Sequence, residues 1–176
     1  DDRFGNWIRE TYPIHEYERS APIMHKIRAV KDPVEIQLIQ KACDLTESAF
    51  RKILKTIKPG EMEYEIEAEF IHEFTRNRSE GFAYTPIIAS GANACVLHYI
   101  DNALPCKDGD MLLLDVGASY ANYNADMTRT IPVNGRFNPR QKQVYQAVHS
   151  VLDFATKIMQ PGVFWVDYQK EVERFM

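Results

Sequence analysis

The chain has 176 residues, 45% of them apolar and 26% charged, with 21 basic against 25 acidic side chains and a formal net charge of −4. This is the composition of a globular protein long enough to bury a core without disulfide staples, and its acidic balance excludes a nucleic-acid binder working by broad electrostatic attraction. No apolar run approaches the ~18–20 residues of a membrane span, the charged start DDRFGNWIRE is no signal peptide, and three cysteines without a CxxC pair point to a reduced, cytoplasmic protein.

Residues 1–28 read as an irregular lead-in interrupted by Pro13 and Pro22. A helix then opens with Asp32 as N-cap, Pro33 at the first helical position and Glu35 completing a capping box. Leu38, Ala42, Leu45, Ala49, Ile53 and Ile57 form its buried face, and Pro59-Gly60 ends it. From Glu61 to Phe70, glutamates alternate with apolar residues, a strand-like period. Glutamate, however, favours helix, and Ile66, Phe70 and Phe74 recur at i+4, so this segment reads as a second helix.

The middle of the chain changes character. Short apolar or β-branched runs at 85–89, 95–99, 111–116 and 125–133 are separated by turn residues, which describes a strand-rich block with hairpins. A third helix opens at Asn138-Pro139 with Gln141 in capping-box position. Its inner face is Val144, Val148, Val151, Ala155 and Ile158, and Pro161-Gly162 stops it. A further helix begins at Asp167. Strands in one block with helices on either side predict an α+β fold, an antiparallel sheet with helices on one face.

Two aspartates stand out. Asp115 sits at the end of Met111-Leu112-Leu113-Leu114, a strand apolar on both faces, where a buried carboxylate is costly unless paired or bound to a metal. Asp126 follows eleven residues later, after a turn-rich stretch long enough to reverse the chain. Paired antiparallel, the two carboxylates come together and repel, so either one takes a proton or a cation lies between them. Oxygen ligands suit Mn, Mg or Co. The plainer alternatives are a turn aspartate at 115 and an ion pair between Asp126 and Arg129. On residue type alone, His98 in the apolar run at 95–99 is a packed core histidine. His15, His25, His72 and His149 read as surface or packing residues, and Cys43 and Cys95 as apolar fill in a helix and a strand.

The string LLLDVGASYANYNADMTRTIPVNG resembles the signature of the pita-bread metallopeptidases, which include Xaa-Pro aminopeptidase (aminopeptidase P), prolidase and methionine aminopeptidase. The continuation TRTIPVNG is most similar to aminopeptidase P. IRAVKDPVEIQLIQKAC resembles the opening helix of that catalytic domain, and AYTPIIASGANACVLHY the strand and loop leading to its active-site histidine. The resemblance covers residues 23–176 and implies the first half of a pita-bread catalytic domain. Residues 1–22 look like the tail of a preceding N-terminal domain or a linker.

The resemblance implies site roles as well. Asp115 matches an aspartate that binds one metal, Asp126 one that bridges two, and His98 a histidine near the scissile bond that holds substrate and transition state. Tyr84 matches a residue lining the pocket for the first side chain, with plain core packing as the alternative. The implied cofactors are two divalent cations, manganese first, with cobalt, zinc and magnesium as alternatives. The implied substrates are peptides with proline in second position, and the implied assembly is a homo-oligomer without nucleic-acid or membrane partners. The family's other ligands, one histidine and two glutamates, have no match in this chain, so the fragment alone is expected to be inactive. Prolidase, a creatinase-like relative that uses no metal, and a non-catalytic binding module of the same fold stay open as alternatives.

Overall fold

The structure, a computed structural model, describes residues 2–176. The chain divides into two compact units, the first ending at Gln37 and the second running from Leu38 to Met176. The first is not irregular: it contains helices α1 (Asp2–Thr11) and α2 (Ala21–Ala29). Pro22 opens α2 rather than interrupting the chain, because in the first helical turn its missing N–H has no partner to lose. Between them the Tyr17 hydroxyl donates to the carbonyls of Ile8 and Tyr12 at 2.9 and 2.7 Å.

Helix α3 (Pro33–Thr56) begins as its sequence requires. Asp32 Oδ1 accepts from the N–H groups of Val34 and Glu35, and Glu35 Oε2 accepts from Asp32 N at 2.8 Å. Ala42, Leu45, Ala49 and Ile53 are buried. Cys43 is exposed, contrary to expectation, because a neighbour one residue along a helix points about 100° away from the buried face. Helix α4 (Glu63–Arg76) confirms the helical reading over the alternating one. Ile66, Phe70 and Phe74 are fully buried, each contributing about 1.5–3 kcal/mol by leaving water.

Among the described residues six strands form two three-stranded antiparallel sheets: β1 (Gly81–Phe82), β2 (Ile87–Ser90), β3 (Met111–Val116), β4 (Ala118–Tyr120), β5 (Tyr123–Asn124) and β6 (Met127–Pro132). One sheet has the order β2-β3-β6, the other β1-β4-β5. Along β3 burial alternates: Leu112, Leu114 and Val116 face the core made with α3 and α4, while Met111, Leu113 and Asp115 face the other way. This is the predicted α+β arrangement. The stretch 117–124, read as a turn, is itself a small hairpin of β4 and β5. Its two tip residues, Ala121 and Asn122, are both left-handed, with φ of 51° and 63°.

The strand expected at 95–99 does not form. Gly91–Cys95 is a 3₁₀ turn, and Val96, Leu97 and His98 are exposed, His98 with φ of 55°. Cys95 is therefore in no strand and is also exposed. The edge of β2 that such a strand would pair with is taken by a side chain instead, since Ile88 N donates to Asn102 Oδ1 at 2.9 Å.

Helix α5 (Pro139–Ile158) carries the expected cap, Asn138 and Gln141 bonding each other's backbone N–H. None of its residues is buried, so the predicted inner face is not a core face here. Instead Val144, Val148 and Leu152 border a groove of about 680 Å³ shared with Thr128 and Thr130 of β6. Helix α6 (Trp165–Phe175) starts two residues before the predicted Asp167, and Phe175 stacks on Phe154 of α5 at 4.3 Å. Among the described residues no helix is long and apolar enough to cross a membrane.

Two buried features fix the frame. Gly117 follows β3 where the chain passes Ala125 so closely that a Cβ would lie 1.8 Å from the Ala125 carbonyl oxygen. Thr46 of α3 holds the next residue in place, its Oγ1 accepting from Ala118 N at 2.9 Å. The second feature is Glu63, the first residue of α4 and wholly inaccessible. Its carboxylate accepts four hydrogen bonds. Ser90 N and Oγ donate to Oε1 at 2.8 and 2.7 Å, and Tyr99 Oη and Leu104 N donate to Oε2 at 2.7 and 2.9 Å. Burial alone works to raise its pKa, but these four donors outweigh it and hold the carboxyl below the 4.5 of an ordinary glutamate.

Two outcomes follow. Gly117→Ala forces the backbone at Ala125 to shift and should cost about 3 kcal/mol, read as a fall in the urea unfolding midpoint. An unchanged midpoint would show that the close approach relaxes freely. Because the folded pKa of Glu63 is depressed, its stabilisation is present above 4.5 and lost as pH falls through the folded value. Between about pH 7 and pH 3 the unfolding midpoint should therefore drop more steeply in the wild type than in Glu63→Gln. Parallel curves would contradict this.

Candidate metal centre

Asp115 is the fifth residue of β3, on the face turned away from α3 and α4. Its partner across the ladder is Thr128, and Val116 pairs with Met127. Asp126 thus stands one residue before β6, beside the end of β3, and is exposed, whereas Asp115 is half-buried. The glycine at 117 makes this possible, because a side chain there would push the two chain segments apart.

Tyr84 joins the pair. It lies between β1 and β2 and its hydroxyl is 2.7 Å from Asp115 Oδ1 and 3.1 Å from Asp126 Oδ1. The two carboxylate oxygens are therefore no farther apart than those two hydrogen bonds laid end to end. One phenolic proton serves two acceptors, with the shorter contact to Asp115. Burial, and then the two carboxylates, push the Tyr84 phenol far above its usual range, so it stays a donor. Plain packing does not describe this residue: its ring fills the space beside Gly117 and its hydroxyl is spent on the acidic pair.

Arg129 and Asp126 line one groove with Glu47 and Arg51 of α3, but no ion pair joins them within 4.0 Å among the described residues, and the Arg129 guanidinium donates to the Thr128 carbonyl at 2.8 Å. The pair is thus a convergent, oxygen-only donor set, open to solvent on the Asp126 side. That chemistry fits hard or borderline divalent cations. Two carboxylates are part of a ligand set rather than a whole one, and among the described residues no group of three or more His, Cys, Asp or Glu side chains converges.

His98 is not the packed core histidine that its residue type predicts. It is in no strand and no core; it is exposed on the segment between the 3₁₀ turn and Asn102, with left-handed backbone. His72 and His149 are exposed on α4 and α5, His72 against Lys52 and His149 against Asp153. Sequence reasoning missed Glu63, Asn102 and Gly117. The glycine carried a signal, since it lies between the two aspartates at the end of an apolar strand. Glu63 carried none, being one of several alternating glutamates.

Residues 37–176 match metallopeptidase family M24. The chain is 37% identical over 155 residues to the Xaa-Pro aminopeptidase of Escherichia coli K12, covering 88% of this chain and 35% of that protein. It is 40% identical over 141 residues to the Xaa-Pro aminopeptidase of Haemophilus influenzae, covering 80% and 33%. Among solved structures it is similar to proline aminopeptidase P II from Yersinia pestis, with a TM-score of 0.86 at 36% identity over 89% of this chain and 36% of that one. Zinc-substituted E. coli aminopeptidase P in complex with product gives the same values. The chain spans about a third of the length of the curated relatives it matches. Its α+β arrangement is the pita-bread fold of the aminopeptidase P structures, over part of that domain, and the chain belongs to metallopeptidase family M24.

Proposed function

We propose that this chain contributes the first part of the catalytic domain of a metal-dependent aminopeptidase that releases the N-terminal residue from peptides with proline in second position. One observation carries the reading: Asp115 and Asp126 converge on a single tyrosine hydroxyl at the open end of a rigid sheet. In this proposal Asp115 and Asp126 would hold divalent cations, manganese being the first candidate. When bound, the cations supply an activated water at neutral pH and stabilise negative charge developing on the carbonyl oxygen.

The protein's own residues do the rest. Tyr84 donates to the aspartates and fixes the carboxylate planes, a role the resemblance did not assign to it. His98, exposed and next to no competing partner among the hydrogen bonds of its segment, donates to the scissile carbonyl region as charge develops there. Residues 1–22 belong in this reading to a linker or the end of a preceding domain. Two carboxylates without further ligands or a general base leave residues 1–176 inactive by themselves. Free thiols at Cys43, Cys95 and Cys106 accord with a cytoplasmic setting.

The test is hydrolysis of an Xaa-Pro peptide by the full-length protein with added manganese. His98→Ala should lower kcat on the order of 10²-fold while leaving the melting temperature nearly unchanged, as suits an exposed side chain. Normal turnover in that variant would remove His98 from the mechanism. Tyr84→Phe should weaken manganese binding, followed by calorimetry, roughly 10–100-fold. Unaltered affinity would show that the carboxylates hold their geometry unaided.

A further inference from the structure

We propose that Glu63 is a positioning residue for His98, acting by clamping both ends of the segment that carries it. The proposal rests on the reading of His98 given above and adds a residue outside the metal centre.

The segment 91–104 lacks the usual means of holding a shape. It has one 3₁₀ turn and no strand, and Val96, Leu97 and His98 are exposed. The side-chain Nδ2 of Asn93 is buried there with no hydrogen-bond partner among the described residues. His98 has φ of 55° and Asn102 φ of 45°, left-handed conformations uncommon for a residue other than glycine and held here by the surrounding structure. The imposing structure is the start of α4. One carboxylate oxygen of Glu63 takes both donors of Ser90, just before the segment; the other takes Tyr99, directly after His98, and Leu104 at the segment's far end. Glu63 N donates back to the Leu104 carbonyl at 3.0 Å, and Cys106 bonds Glu61 and Gly60 through its backbone. One turn further along α4, Glu67 Oε2 accepts from Asn102 Nδ2 at 2.9 Å, and the same amide donates to the Pro86 carbonyl.

Each carboxylate oxygen of Glu63 faces one backbone N–H, from Ser90 or Leu104, which can only donate, so both positions need an acceptor. An ionised carboxylate satisfies both. Glutamine has the same shape but turns an NH₂ toward one of these backbone N–H groups, which should loosen that end of the clamp without opening a cavity. The spacing of Asp115 and Asp126 is set by the ladder of β3 with β6, to which Glu63 makes no hydrogen bond, so loosening the segment should move His98 and leave the cation site alone.

The experiment compares Glu63→Gln in the full-length protein with the same change in a His98→Ala background, using an Xaa-Pro peptide, and follows manganese affinity by calorimetry. The expected result is a kcat lowered about 10- to 100-fold by Glu63→Gln alone, with manganese affinity unchanged and no further loss when His98 is already alanine. Equal losses in both backgrounds, or a parallel loss of manganese affinity, would show a merely structural role and overturn the proposal. If His98→Ala is impaired while Glu63→Gln is not, the clamp is refuted and the reading of His98 stands. If His98→Ala turns over normally, the reading of His98 fails and the positioning role with it. Should Glu63→Gln not fold, Tyr99→Phe removes one of the four bonds with no change in backbone, and the same pair of backgrounds decides the question.

Discussion

Two carboxylates brought onto one hydroxyl repel each other, and much of the fold is arranged to keep them there. At such a separation two ionised groups cost on the order of 1–3 kcal/mol, less where water reaches Asp126. Neither local propensity nor hydrophobic burial favours the pairing. It is imposed by the ladder between β3 and β6, by the missing side chain at Gly117, and by the Tyr84 hydroxyl, which offsets part of the repulsion. A cation between the carboxylates reverses the sign of the interaction, which is why such a pair is tolerable in a protein that binds one.

Holding that pair requires the sheet to be rigid on one face and open on the other. Leu112, Leu114 and Val116 pack with Ile53, Ile66, Phe70 and Phe74 from α3 and α4, so the central strand is anchored through alternate residues only. The residues between them are left for chemistry. Were both faces of β3 covered by helices, as its uniformly apolar sequence suggests, Asp115 would be sealed in the core at a far larger desolvation cost.

The sequence disclosed what depends on local rules. Asp32 and Glu35 cap α3, Asn138 and Gln141 cap α5, and the i+4 series through Phe74 marks α4, because capping and helical period are decided within a few residues. It misled where a tertiary partner decides. The apolar run at 95–99 has strand composition, yet the edge it would use is occupied by Asn102, a residue with no strand signal. The valines of α5 form an apolar stripe, but periodicity does not say what covers a stripe, and in this unit they line a groove. Asp115 and Asp126 were legible as a pair from their spacing, and their setting among glycine and threonine carried the family resemblance. That the Tyr84 hydroxyl reaches the acidic pair is a matter of a hydroxyl's direction, which no sequence pattern contains.

The two halves of the proposed site are therefore built on different principles. The aspartates ride on paired strands, where backbone hydrogen bonds and a buried face fix their spacing to within the tolerance of the ladder. His98 rides on a segment with exposed apolar side chains and strained backbone, fixed from outside by a buried carboxylate. A charge binding four donors is stiffer than a neutral contact and fails more abruptly, since loss of the charge orphans several buried donors at once. The pair of aspartates should thus survive perturbations that displace the histidine. Retained cation affinity with lost turnover is the signature that this division of the site predicts.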